Sequence, residues 1–147
     1  DVSWTAIEVR EEAMAALTRA VASGGRSGAV DRDDFLTAAP IYAHTERHEV
    51  VCGNPPYLDA AAHVARALLC APVVAFLLRL NFLESESRAS VMRRCPPDVF
   101  VLPNRPSFDG LGTDATAYCW AVWDMDGRAR EVTGRDLSQG RASSDRW

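Results

Sequence analysis

Three observations predict an α/β domain with a mostly parallel sheet. Strand-like and helix-like segments alternate four times along the 147 residues. The run Val73-Val74-Ala75-Phe76-Leu77-Leu78 is almost continuously apolar, as expected of a central strand covered on both faces. Three polar features, Glu8, Asp33-Asp34 and Asn54, each follow a strand-like segment, where parallel sheets gather ligand-binding groups.

Each element has its own signal. Trp4–Val9 reads as a short strand carrying a carboxylate at its end, and Glu11–Ala22 as a helix with Met14, Leu17 and Val21 at helical spacing. The segment Ser23-Gly24-Gly25-Arg26-Ser27-Gly28 stops that helix. Ala29-Val30 opens a second strand and Glu49–Cys52 forms a third. Leu58–Cys70 reads as a helix stopped before Pro72, and Val73–Leu78 as the central strand. Glu84–Arg94 is a charged helix stopped by Pro96-Pro97, and Asp98–Leu102 a further strand. Ala115–Trp123, rich in aromatics, is expected as a strand near the sheet edge. From Met125 the composition turns polar, so residues 1–124 are expected to be the folded domain and 125–147 a mobile polar tail or the start of a further, truncated segment.

Composition narrows the function classes. A hydrophobic content of 48% and a charged content of 24% fit an ordinary water-soluble domain. The net charge of -4 argues against strong non-specific binding to a polyanion, although Arg88, Arg93, Arg94 and Arg105 fall close together in sequence. All 16 basic residues are Arg, which we read as a bias of composition. Cys52, Cys70, Cys95 and Cys119 are widely spaced in apolar contexts and are expected to be reduced core thiols of a cytoplasmic protein. His44 and His48 are four residues apart but no Cys pair or H-E-x-x-H pattern accompanies them, so no metal site is expected. The longest apolar run is interrupted by Arg79, and neither a membrane span nor a signal peptide is predicted.

The three strand ends carry the chemistry. Glu8, ending a strand before a helix, could accept hydrogen bonds from both hydroxyls of a ribose, or could simply cap an acidic turn with Glu11 and Glu12. Asp34 could accept from the exocyclic amine of an adenine, with Phe35 against the ring, or could belong to an Asp-rich turn beside a core Phe. The segment Asn54-Pro55-Pro56-Tyr57 is more specific. A planar amine, its lone pair delocalised into a ring or carbonyl, is a poor nucleophile. The Asn54 side-chain oxygen and the Pro55 carbonyl could each accept one of its hydrogens, drawing the nitrogen towards tetrahedral. The two prolines fix the backbone so that the carbonyl faces the site, and Tyr57 offers a ring for stacking. The alternative is an Asn-Pro turn beside an exposed Tyr.

In these residues the chain resembles the amino-methyltransferases that use S-adenosylmethionine, specifically the DNA adenine-N6 group. That family's tetrapeptide is [Asp/Asn/Ser]-Pro-Pro-[Tyr/Phe], and Asn54-Pro55-Pro56-Tyr57 matches it fully. "AIEVREEA" resembles the second motif, which implies that Glu8 holds the cofactor ribose with Val9 against the adenine. "RDDFL" resembles the third, which implies that Asp34 holds the adenine amine with Phe35 beside the ring. "LLRLNFLES" and "LPNRPSFDGLGTDATAYCWAVWD" look like phage-type members, and make Phe108 a candidate second stacking partner for the target base. The resemblance spans Trp4 to Asp124 and implies a Rossmann-like sheet of the class I methyltransferase type with a final antiparallel hairpin. It implies S-adenosylmethionine as cofactor and DNA, with its adenine flipped out of the duplex, as partner. The family's Gly-rich first motif would precede Glu8, and Gly24, Gly25 and Gly28 lie too far along to serve as it. We therefore expect the first strand and its loop to be absent from these residues. Related enzymes use Asn-Pro-Pro-Tyr on a protein glutamine amide or an RNA base, and a remnant without the cofactor loop could act only as a binding module. These three readings stand as alternatives.

Overall fold

The computed structural model describes residues 2–23, 28–38, 48–104, 106 and 115–126. The chain divides into two compact units, Asp1–His44 and Thr45–Trp147. Phe108, most of the proposed tail and His44 lie outside the described residues.

The first unit is a βαβ element. Strand β1 (Trp4–Ile7) leads into helix α1 (Glu11–Ser23) and back to β2 (Gly28–Asp31), which pairs parallel to β1 with Trp4 opposite Gly28 and Ile7 opposite Asp31. The acidic Glu11 and Glu12 lie in the first turn of α1, where the helix dipole favours negative charge. Close packing sets the residue that opens β2. A Cβ on Gly28 would lie 2.5 Å from Val21 Cγ1 and 3.0 Å from the Trp4 carbonyl oxygen, so only glycine lets α1 and β1 approach there. The Glu8 N–H donates to the Asp31 carbonyl at 3.1 Å, carrying the parallel pairing one residue beyond the strand.

The second unit is a four-stranded sheet in the order β3-β4-β6-β5, formed by Val50–Gly53, Val73–Arg79, Tyr118–Asp124 and Asp98–Val101. β3 and β4 are parallel, whereas β6 runs antiparallel to both β4 and β5. Three strands therefore share one direction and β6 alone opposes them. Helix α2 (Ala60–Cys70) crosses from β3 to β4 and buries Ala60, Val64, Ala67 and Cys70, a stripe at helical spacing. After β4 the chain makes a 3-10 turn over Leu80–Glu84, then helix α3 (Glu86–Arg94). Glu86 in the first turn and Arg93 and Arg94 in the last match the α3 dipole.

Several expectations are revised. The aromatic segment before Asp124 lies one strand in from the edge: Tyr118, Cys119, Ala121 and Trp123 are buried, and β5 takes the outer position. Tyr118 and Trp123 lie in the core while Trp120 is exposed, and the Trp123 indole N–H donates to the Cys95 carbonyl at 3.0 Å. β4 is central, but its burial alternates, with Val74, Phe76 and Leu78 buried and Ala75, Leu77 and Arg79 half-buried. The apolar run thus marks one fully covered face. The charged helix expected from Glu84 begins at Glu86, because Glu84 ends the tighter 3-10 turn Leu80–Glu84, which buries Phe82. Cys70 and Cys119 lie in the core as expected, but Cys52 is exposed on β3. Burial pushes the Cys119 thiol pKa up, which keeps it neutral.

Candidate functional site

Every expected site residue among those described falls just beyond the carboxyl end of a parallel strand. In the first unit, Glu8 and Val9 follow β1, and Asp34 and Phe35 follow β2. The register that places Ile7 opposite Asp31 brings these two strand ends side by side. In the second unit, Asn54 to Tyr57 follow β3 immediately.

The Glu8 carboxylate is already engaged. Arg10 Nε donates to Oε1 at 2.9 Å and Nη2 to Oε2 at 3.0 Å, while the Arg10 backbone N–H donates to Oε1 at 2.9 Å. These Arg10 hydrogen bonds hold the Glu8 carboxyl below the usual carboxylate range against a smaller opposing effect of burial. A planar two-pronged donor on both oxygens is the same chemistry that two vicinal hydroxyls would present. Val9 is exposed and available to cover a ring.

Asp34 is fixed by a turn. Its Oδ1 accepts from the Leu36 N–H at 2.9 Å, and its carbonyl accepts from Thr37 and Ala38 N–H at 3.0 and 2.7 Å. Asp33 Oδ1 in turn accepts from the Asp34 N–H at 2.8 Å. Among the described residues Oδ2 of Asp34 carries no hydrogen bond, so the carboxylate is oriented while one oxygen remains open. The turn reading and the ligand reading are therefore compatible.

The Asn-Pro-Pro-Tyr segment is built asymmetrically. Pro55 is buried, Asn54 and Pro56 are exposed and Tyr57 is half-buried. The Pro56 carbonyl accepts from the Asp59 N–H at 3.1 Å and turns the chain into α2. Among the described residues neither the Asn54 side-chain amide nor the Pro55 carbonyl takes part in a hydrogen bond. Both acceptors of the expected amine clamp are thus unoccupied, at the end of a strand and just before Tyr57 in the chain.

Sequence reasoning missed two residues beside this clamp. Arg79 closes β4 and places its guanidinium carbon 4.6 Å from the Tyr57 ring centroid. Its Nε donates to the Tyr118 hydroxyl at 3.3 Å. Tyr118 opens β6 opposite Arg79, and its ring lies 5.7 Å from that of Tyr57 at 55°. Arg79 stood out in the sequence only as an interruption of an apolar run. A charge ending the strand next to the Asn-Pro-Pro-Tyr strand was the available signal. Among the described residues no group of three His, Cys, Asp or Glu side chains could hold a metal ion, and no helix is long and apolar enough to cross a membrane.

With this geometry in place, the comparisons give the class of fold. No protein-family model matches the chain, and no curated protein matches it in sequence. Solved structures do match. The chain is similar to the 23S rRNA methyltransferase ErmE, with a TM-score of 0.55 and 18% identity, covering 82% of this chain and 51% of that one. It is similar to a candidate RNA methyltransferase from Pyrococcus horikoshii, with a TM-score of 0.55 and 14% identity, covering 82% of this chain and 61% of that one. An rRNA methylase from Streptococcus thermophilus matches with a TM-score of 0.51 and 10% identity, covering 82% of this chain and 71% of that one. At these identities the likeness is one of fold: the chain has the α/β fold of the class I methyltransferases, including the antiparallel final strands. It spans about half to three-fifths of the length of the first two neighbours.

Proposed function

We propose that the protein transfers a methyl group from S-adenosylmethionine to the exocyclic N6 amine of adenine in DNA. The observation that carries this reading is the pair of unoccupied acceptors, the Asn54 amide oxygen and the Pro55 carbonyl, beside the half-buried ring of Tyr57. The class I methyltransferase fold supports the reaction class.

On this reading Glu8 accepts the ribose hydroxyls of the cofactor in place of Arg10, with Val9 against its adenine. Asp34 accepts the adenine amine through its open oxygen, with Phe35 beside the ring. S-adenosylmethionine, when bound, supplies an electrophilic methyl group on a sulfonium. Asn54 and the Pro55 carbonyl accept the two hydrogens of the target amine and free its lone pair for in-line attack. Tyr57 stacks on the base, which is flipped out of the duplex to reach it. Phe108 is the candidate for the opposite face. Rate enhancement comes mainly from holding the amine against the methyl group.

A second reading keeps the clamp and changes the polymer. The names of the ribosomal RNA methyltransferases above favour RNA as the substrate. Incubating the full chain with methyl-labelled cofactor and separate DNA, RNA and protein pools distinguishes the readings. Label in DNA recovered as N6-methyladenine supports the first reading and label in RNA the second. Label only in protein points to a glutamine amide, and incorporation into none contradicts the proposed activity.

A further inference from the structure

We propose that Arg79, held by Tyr118, is a positioning residue that fixes the ring of Tyr57 and leaves it a single face on which to receive a planar base. The inference rests on the methyltransferase reading above for the identity of the base, but the clamp itself is a property of this chain.

The argument begins with the freedom of Tyr57. Its neighbours in sequence are the exposed Pro56 and Leu58, the latter 99% exposed, so the local chain does not pack its ring. A half-buried tyrosine that follows two prolines keeps a fixed backbone but a free side-chain torsion. Yet stacking contributes to catalysis only if the ring is already in the plane the base will share, because a rotating ring misaligns the amine. The restraint comes from the sheet. β4 and β6 are antiparallel, and their register sets Arg79 opposite Tyr118 at the same end as the Asn-Pro-Pro-Tyr segment.

Tyr118 is 1% exposed and packed in the core. Its hydroxyl accepts from Arg79 Nε at 3.3 Å, which restrains the long Arg79 side chain at this end of the strand. The guanidinium then lies 4.6 Å from the Tyr57 centroid, well inside the range of a cation–π contact. Tyr118 also touches Tyr57 directly at 55°, a tilted arrangement that aromatic pairs favour. With the cation over one face and Tyr118 at its flank, we assign the opposite face to the base. The cation also polarises the ring, which makes that outer face a better acceptor for an electron-rich purine.

The test compares Arg79→Met, which keeps the stem without the charge, with Arg79→Lys and Tyr118→Phe. Fluorine-labelled tyrosine gives one resonance for each of the three tyrosines in the chain (Tyr42, Tyr57 and Tyr118), and Tyr57→Phe assigns the one that matters. In the wild-type chain the Tyr57 signal should be displaced from that of a solvent-exposed tyrosine. Arg79→Met should move it towards the exposed value, and Arg79→Lys should restore part of the displacement. Methylation of the responsive pool should fall roughly tenfold in kcat/KM for Arg79→Met, mostly in kcat, with partial recovery in Arg79→Lys. Tyr118→Phe should cost a few-fold. An unmoved Tyr57 signal, or undiminished kcat/KM in Arg79→Met, overturns the proposal. If the wild-type chain methylates no pool, the activity assignment fails and the fluorine signal alone decides the clamp.

Discussion

At the scale of single residues, Asn54 and Glu8 carry the sharpest expectations. Asn54 is exposed and makes no side-chain hydrogen bond among the described residues, so the fold does not depend on it. Asn54→Ala should therefore lower kcat by roughly a hundredfold, as loss of one positioned hydrogen-bonding group does, while the thermal midpoint stays unchanged. Steady-state kinetics together with a melting curve checks both halves. Glu8 sets a different competition. Its oxygens are occupied by Arg10, whose guanidinium is exposed, so the pair contributes little to stability. A ligand's ribose has to displace that guanidinium. Arg10→Ala should tighten binding of S-adenosylmethionine by up to about fivefold in calorimetric titration, the equivalent of one exposed ion pair. The same substitution removes the main cause of the lowered Glu8 pKa. A depressed folded-state pKa gives a contribution that is present above the ordinary carboxylate range and lost as pH falls through the lowered value. Cofactor binding to the wild-type chain should accordingly persist to lower pH than binding to Arg10→Ala. The roles of Asn54, Pro55 and Tyr57 could be posed from sequence because a four-residue order carries them. The Arg10 fork and the Arg79–Tyr118 clamp could not, since one depends on a rotamer and the other on pairing between residues 39 apart.

At the scale of elements, β2 and β6 explain most of the difference between expectation and structure. Gly28 was legible only as part of a Gly-rich helix stop, but its place opposite Trp4 and against Val21 makes it a packing residue. Gly28→Ala should destabilise the first unit by about 1–3 kcal/mol, the usual cost of overpacking; thermal unfolding of the variant measures it. β6 was legible as a strand from its aromatics but not as a central one. Sequence order places it last, and nothing local tells a late strand to insert between two earlier ones. Trp123 is fully buried there and its indole satisfies the Cys95 carbonyl. Trp123→Ala should cost about 3–5 kcal/mol through the cavity and the lost hydrogen bond, read as a lowered denaturation midpoint. Strand β4 was the most legible element because continuous apolar character from Val73 to Leu78 has few other uses.

At the scale of the whole molecule, the alternation of strand and helix was enough to predict the class of fold, and the solved structures of similar fold agree. The carboxyl ends of β1, β2 and β3 carry the three polar features that the sequence singled out. The polymer that presents the base was the least legible property. On the proposed reading Asn-Pro-Pro-Tyr recognises an amine and a ring face, both of which DNA and RNA share, and the fold neighbours are linked by name to RNA. The account's central claim is that the Asn54 and Pro55 acceptors activate a planar amine. The most direct measurement is transfer of labelled methyl from S-adenosylmethionine to nucleic acid by the wild-type chain and by Asn54→Ala, with the product digested to nucleosides. The account predicts N6-methyladenine from the wild type and about a hundredfold less from the variant. Equal yields from the two, or label recovered on a ring carbon instead of an exocyclic amine, would contradict it.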